Sequence, residues 1–274
     1  MPAACASCRW SKLARRAVAG SHANFQPRSG LTIISRPNEL SGIIQAFLPR
    51  AVAVAVPAES HVVSVSPGAP TALARAWLWL GIMALIGSGL LALLLVFSRT
   101  PGIQDVFPLK EFFRSALIVH VDLSVAIWFM AFAAVIWSAV GGAGLAWLGW
   151  AGFGLAAFGT LVMTVSPFFP GAEPVLNNYI PVLKHDVFFA SLWICGAGFS
   201  LAVLRALLTT WPRPFAGAPY RLGAFLGALA AFFALAAFFW SWAMVPRVEE
   251  PIYFEVLFWG GGHTLQFQHA LLMV

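Results

Sequence analysis

From residue 76 to residue 97 the chain runs 22 residues without a charge, through Trp77, Leu80, Ile86, Leu91 and Phe97. At about 1.5 Å of rise per residue, a helix of that length covers the roughly 30 Å hydrocarbon core of a bilayer. That core holds no water to satisfy a peptide group, so a spanning segment must close its own backbone hydrogen bonds, as a helix does. The pattern then recurs. The stretch from 115 to 150 holds Asp122 as its one charge and is too long for a single crossing, and Gly141-Gly142-Ala143-Gly144 supplies a turn in its middle. Spans are expected at 76–97, 113–140, 145–166, 186–208, 221–245 and from 252 to 274.

The intervening segments are punctuated as loops. Pro167 and Pro170 close the third span, and 171–186, with Pro174, Asn177, Asn178 and Pro181, reads as an ordered loop outside the bilayer. Pro212, Pro214 and Pro219 precede the fifth span, and the charged run 246–251 precedes the sixth. The expected fold is an all-α polytopic membrane bundle of about six transmembrane helices over 73–274. The last span is still running at Val274, so the chain reads as the N-terminal portion of something longer.

Composition excludes an ordinary soluble domain: 9% of residues are charged and 60% hydrophobic, where soluble domains carry about 25% charged residues. The net charge of +6 does not point to nucleic acid, because the basic residues cluster before the first span and in loops. With the N-terminus cytoplasmic, 11 Lys and Arg fall on the inner side and five on the outer, which is the positive-inside sense. Residues 1–72, rich in Ser, Ala, Pro and Arg, contain no stretch of membrane length. They fit a transit peptide, a cytoplasmic tail or an upstream extension alike, and are read as a disordered N-terminal extension. Cys5 and Cys8 lack a second pair to complete a zinc site.

An ionisable group at membrane depth is expensive unless paired or bound, which makes each one a functional candidate. These are His120 and Asp122 in the second span, and His263 and His269 in the sixth. His120 lies about two turns from the outer end, where an imidazole reaches a porphyrin iron. Ser124, Ile127 and Ala131 on its face leave room for a flat ring. A structural histidine bonded to a neighbouring helix is the competing reading. His263 follows Gly260-Gly261-Gly262, which permits close approach of a helix or a planar ligand. Asp122 is turned away from His120 and read as partly hydrated, and His269 faces elsewhere than His263. His185 reads as interfacial, and most of the Trp and Phe residues as belt or lipid-facing.

The segments 116–124 around His120, with Trp128-Phe129, the loop 175–185, and 258–267 around His263 together resemble the first half of haem-copper oxidase subunit I, a twelve-helix protein. The resemblance covers 72–274 and implies that His120 is the outer-side axial ligand of a low-spin haem and His263 one of three histidines on copper. No catalytic residue is carried over. The implied reaction is reduction of oxygen to water, in aerobic electron transport, by electrons from cytochrome c or quinol. The implied partners are other oxidase subunits and membrane lipid, in a bacterial inner membrane. Phe267 stands where better-known oxidases carry a tyrosine, and Thr264-Leu265-Gln266 lacks the glutamate of some members. Both departures lean toward the C-type branch. Nitric oxide reductases use glutamates near the metal that are not found here. A cytochrome b-like protein without oxygen chemistry, and a transport or structural membrane protein, are the alternatives.

Overall fold

The computed structural model describes residues 68–103, 112–177, 180–211, 219–246, 249 and 252–273. The N-terminal extension before residue 68, with Cys5 and Cys8, lies outside the described residues, as does most of the charged run before the sixth span. The first helix, α1, is Ala69–Arg99 and starts a few residues inside the expected extension. Pro70 opens it, where a missing N–H costs nothing, and Thr71 bonds back to Gly68 through its hydroxyl at 2.7 Å.

The second span, Phe112–Gly141, is built of α2 (Phe112–Val121), a π-helical segment (Asp122–Ile127) and α3 (Trp128–Gly141). It ends at the glycine turn, with Gly142 and Leu145 at positive φ. Next come α4 (Ala146–Val165) and a 3-10 turn through Pro167. The segment expected as a loop is a hairpin, with β1 (Glu173–Asn177) antiparallel to β2 (Ile180–Lys184). Helices α5 (Asp186–Thr210), α6 (Pro219–Met244) and α7 (Ile252–Met273) complete the chain.

The protein is an all-α polytopic membrane bundle. Five spans, Pro70–Arg99, Phe112–Gly141, Ala146–Phe168, Asp186–Thr210 and Pro219–Met244, are long and apolar enough to cross a membrane. α7 has 22 residues and is more polar, carrying Glu255, His263, Gln266, Gln268 and His269. Eight of the eleven described tryptophans are exposed, whereas Trp77 and Trp137 are buried. That outward aromatic surface belongs against lipid.

Small residues set how closely the helices approach. A Cβ on Gly198 of α5 would stand 2.7 Å from Gly152 O and 2.9 Å from Ala156 Cα of α4, so these two backbones touch. Phe238 of α6 packs on Gly261 of α7, and Leu272 of α7 packs on Gly227 of α6. These two contacts fix α6 and α7 as antiparallel neighbours over most of their length. Trp128 lies against Gly81 of α1, and Trp137 donates its indole N–H to Ala224 O of α6 at 3.0 Å. The hairpin rests on the end of the bundle where α2 begins, with Ser115 donating to Ala172 O and with Val182 and Leu183 buried.

Candidate functional site

The π-helical segment starts two residues after His120 and decides how that histidine is held. A π turn shifts the i→i−4 ladder by one residue and leaves carbonyls to be satisfied by other donors. The carbonyl of His120 accepts from the hydroxyls of Ser124 at 2.8 Å and Ser88 at 3.0 Å. Ser88 sits on α1 and is 3% exposed. Its own carbonyl lies 2.9 Å from His120 Nδ1 and its Oγ 2.8 Å from the same nitrogen.

A carbonyl oxygen only accepts, so Nδ1 carries the proton in this arrangement, and the neutral ring then holds its lone pair on Nε2. Fixing one imidazole nitrogen on a backbone carbonyl is the usual way a protein orients the other toward a metal. The ring is half-buried, and Leu117, Val121 and Ser124 on the flank beside it are half-buried as well. The face expected to give room for a ring is different: Ile127 and Ala131 are 3% and 0% exposed, with Ala131 against α1 at Gly81. The π turn rotates these two residues inward, so the open flank lies at Leu117, Val121 and Ser124.

Asp122 differs from the expectation of partial hydration. It is 8% exposed, and its Oδ2 has no hydrogen-bond partner. It belongs to the π segment, which turns it into the bundle.

In α7, His263 stands beside Trp259, ring centroids 4.9 Å apart, with its Nδ1 3.4 Å from Gln266 Oε1. The glycine run before it is only partly used for close approach. Phe238 fills the space over Gly261, Ala237 stands 3.9 Å off at Gly260, and nothing lies within 4 Å at Gly262. His269, not His263, reaches the second span, stacking on Phe129 with centroids 4.5 Å apart and planes 18° apart. Its Nδ1 is buried without a partner, and neighbouring Gln268, fully buried, has both amide atoms unpaired. Among the described residues no group of three or more His, Cys, Asp or Glu could hold a metal ion.

His185 caps α5, its Nδ1 accepting from the Val187 N–H at 3.2 Å. Arg205, inside the expected span 186–208 and counted among the charges flanking the inner loop, is 2% exposed and donates to Gly142 O at 2.6 Å and Gly144 O at 3.1 Å. A cation at those carbonyls also complements the negative end of the α3 dipole. Ser88 was missed because hydropathy gives a lone serine in an apolar run no weight. Its one visible signal is a hydroxyl in an otherwise apolar run.

Two curated proteins match the chain. An uncharacterized protein of Rickettsia prowazekii (strain Madrid E) is 31% identical over 237 residues, covering 74% of this chain and 45% of that protein. An uncharacterized protein of Aquifex aeolicus (strain VF5) is 31% identical over 199 residues, covering 72% of this chain and 50% of that protein. The chain spans about half the length of the curated relatives it matches. No family model matches it, and no solved structure matches it.

Proposed function

We propose that the chain is the haem-carrying half of a membrane oxidoreductase of the haem-copper oxidase kind, with His120 Nε2 as an axial ligand of a low-spin haem. The observation that carries this reading is the anchoring of His120 Nδ1 on the Ser88 carbonyl, which directs the lone pair of Nε2 away from α1. Ser88 and Ser124 hold the backbone of His120 in place, and the flank at Leu117 and Val121 offers an apolar edge to a planar ligand. Haem, when bound, supplies a one-electron carrier whose potential follows its axial ligand and the hydrogen bond behind it.

Copper fits less well. His263 is one nitrogen donor, and the described residues bring no further set of ligands to it, where copper takes three or four. Reduction of oxygen to water by electrons from cytochrome c or quinol is accordingly proposed for a longer protein of the relatives' length, with His263 as one copper ligand. We also read the protein as lying in a bacterial inner membrane with a cytoplasmic N-terminus. The flanking charges support this at ten to five once Arg205, which is buried in α5, is left out of the count.

The test is a haem titration of the purified full chain, followed by reduced-minus-oxidised optical spectra of the native chain and of His120→Ala and His269→Ala. Bound haem, read by its Soret band, is expected in the native chain and in His269→Ala, and absent from His120→Ala. A signal that survives His120→Ala sinks the assignment.

A further inference from the structure

Of the two buried tryptophans, Trp137 donates its indole N–H to Ala224 O, whereas that of Trp77 makes no hydrogen bond among the described residues. The buried hydroxyls divide in the same way. Ser88, Ser115, Thr160, Ser166, Ser191 and Thr210 each donate to a backbone carbonyl. Ser138, 2% exposed, bonds to none of the described residues. Burying a polar group without a partner is costly, and these two share a location. Both line one cavity of about 10 Å³, walled by α1, α3, α4 and α5 at the end of the bundle that carries the glycine turn. Its third polar wall is Arg205.

Charge narrows what the cavity suits. Arg205 is 2% exposed and donates to Gly144 O and Gly142 O, which are neutral acceptors. No Asp or Glu occurs at 62–104, 123–172 or 187–248. The one acid on the four wall helices is Asp186, at the far end of α5 and about 28 Å along its axis from Arg205. The guanidinium is therefore a buried cation whose surroundings carry no carboxylate.

The hydrogen-bonding groups point the same way. A guanidinium and an indole N–H only donate, and a serine hydroxyl can donate. The lining is otherwise apolar, with Leu73, Ala134 and Ala202. A water molecule would accept from these donors but turn a hydrogen of its own toward an apolar wall. An anion accepts from all three and neutralises the cation as well. A space of this volume takes one particle of roughly the size of a water molecule, which is too small for phosphate or sulfate and suits a monatomic ion.

We infer that this cavity is a binding site for a single chloride ion, held by the Arg205 guanidinium, the Ser138 hydroxyl and the Trp77 indole N–H. The ion ties α1, α3 and α5 together beside the turn that Arg205 caps. The site needs no haem at His120, so either reading can fail while the other stands.

Equilibrium dialysis of the purified full chain in micelles against radioactive chloride tests it, with sodium gluconate holding the ionic strength constant. The native chain is expected to take up one chloride saturably, with bromide competing and gluconate not. Ser138→Ala and Trp77→Phe each remove one donor, and each should raise the half-saturating chloride concentration roughly tenfold, with helix content unchanged by circular dichroism. Ser200→Ala, whose hydroxyl is exposed and bonded to Gly196 O of its own helix, should bind as the native chain does. A native chain that takes up no chloride overturns the inference. Saturable uptake that Ser138→Ala and Trp77→Phe leave within twofold of the native value also overturns it, because the ion then sits elsewhere. Thermal unfolding gives a second readout that needs no variant. At constant ionic strength the native midpoint should rise with chloride over the range that fills the site, and a midpoint that chloride does not move counts against the proposal.

Discussion

Replacing Ser88 by alanine tests the geometry behind His120 more sharply than removing the histidine itself. The substitution deletes one hydroxyl, and with it the 2.8 Å contact to His120 Nδ1 and the 3.0 Å bond to His120 O. Two interactions remain: the Ser88 carbonyl still accepts from Nδ1 at 2.9 Å, and Ser124 still donates to His120 O at 2.8 Å. The ring therefore keeps its tautomer and loses only part of its restraint. A neutral hydrogen bond contributes about 1 kcal/mol, and bonds between membrane helices average about 0.6 kcal/mol. Losing one to two such contacts weakens haem binding by about 1–2 kcal/mol, or roughly five- to thirtyfold. The assay is a haem titration of the purified native and Ser88→Ala chains, read by absorbance, with circular dichroism to verify that helix content is equal. The spectrum of bound haem should persist at higher haem concentration. An affinity within twofold of the native value would show that Ser88 does not restrain the ligand. A complete loss of bound haem with unchanged helix content would show that the carbonyl alone holds nothing. Either result refutes the anchoring argument.

Two further outcomes concern the frame around the site. Arg205→Ala removes charge-assisted bonds to two carbonyls at the end of α3, each worth about 1.5–3 kcal/mol. Unfolding in mixed micelles should show a loss of about 3 kcal/mol, with Arg205→Lys recovering part of it; a loss below about 0.5 kcal/mol would exclude the capping role. Gly198→Leu forces a side chain into the backbone of α4 at Gly152 and Ala156. Overpacking of this kind costs about 1–3 kcal/mol, and the thermal midpoint should fall, whereas Gly223→Leu, with no atom within 4 Å, should leave it unchanged.

The positions of the spans were legible because lipid imposes a simple rule. Each expected boundary from 113 onward falls within two residues of the observed one, since charges, prolines and glycines mark where an apolar helix can no longer remain in hydrocarbon. The hairpin at Glu173–Lys184 was not read as strand, because two prolines and two asparagines in a short segment score as loop whatever it packs on. His120 was singled out by its cost at membrane depth. The same rule wrongly passed over Gln268, which is fully buried with both amide atoms unpaired, and misjudged Asp122 as hydrated.

What the charge-free run at 76–97 and its successors determined alone is a chain of apolar helices that must bundle in a membrane. The tertiary structure decided which way His120 points. The Ser88–His120 contact joins residues 32 positions apart, and periodicity within either helix carries no information about it. The π turn at Asp122–Ile127 is likewise stabilised by hydroxyls from α1 as well as from its own helix. The hydroxyl that Ser88 adds to the one from Ser124 reaches the bulge only once the helices have packed.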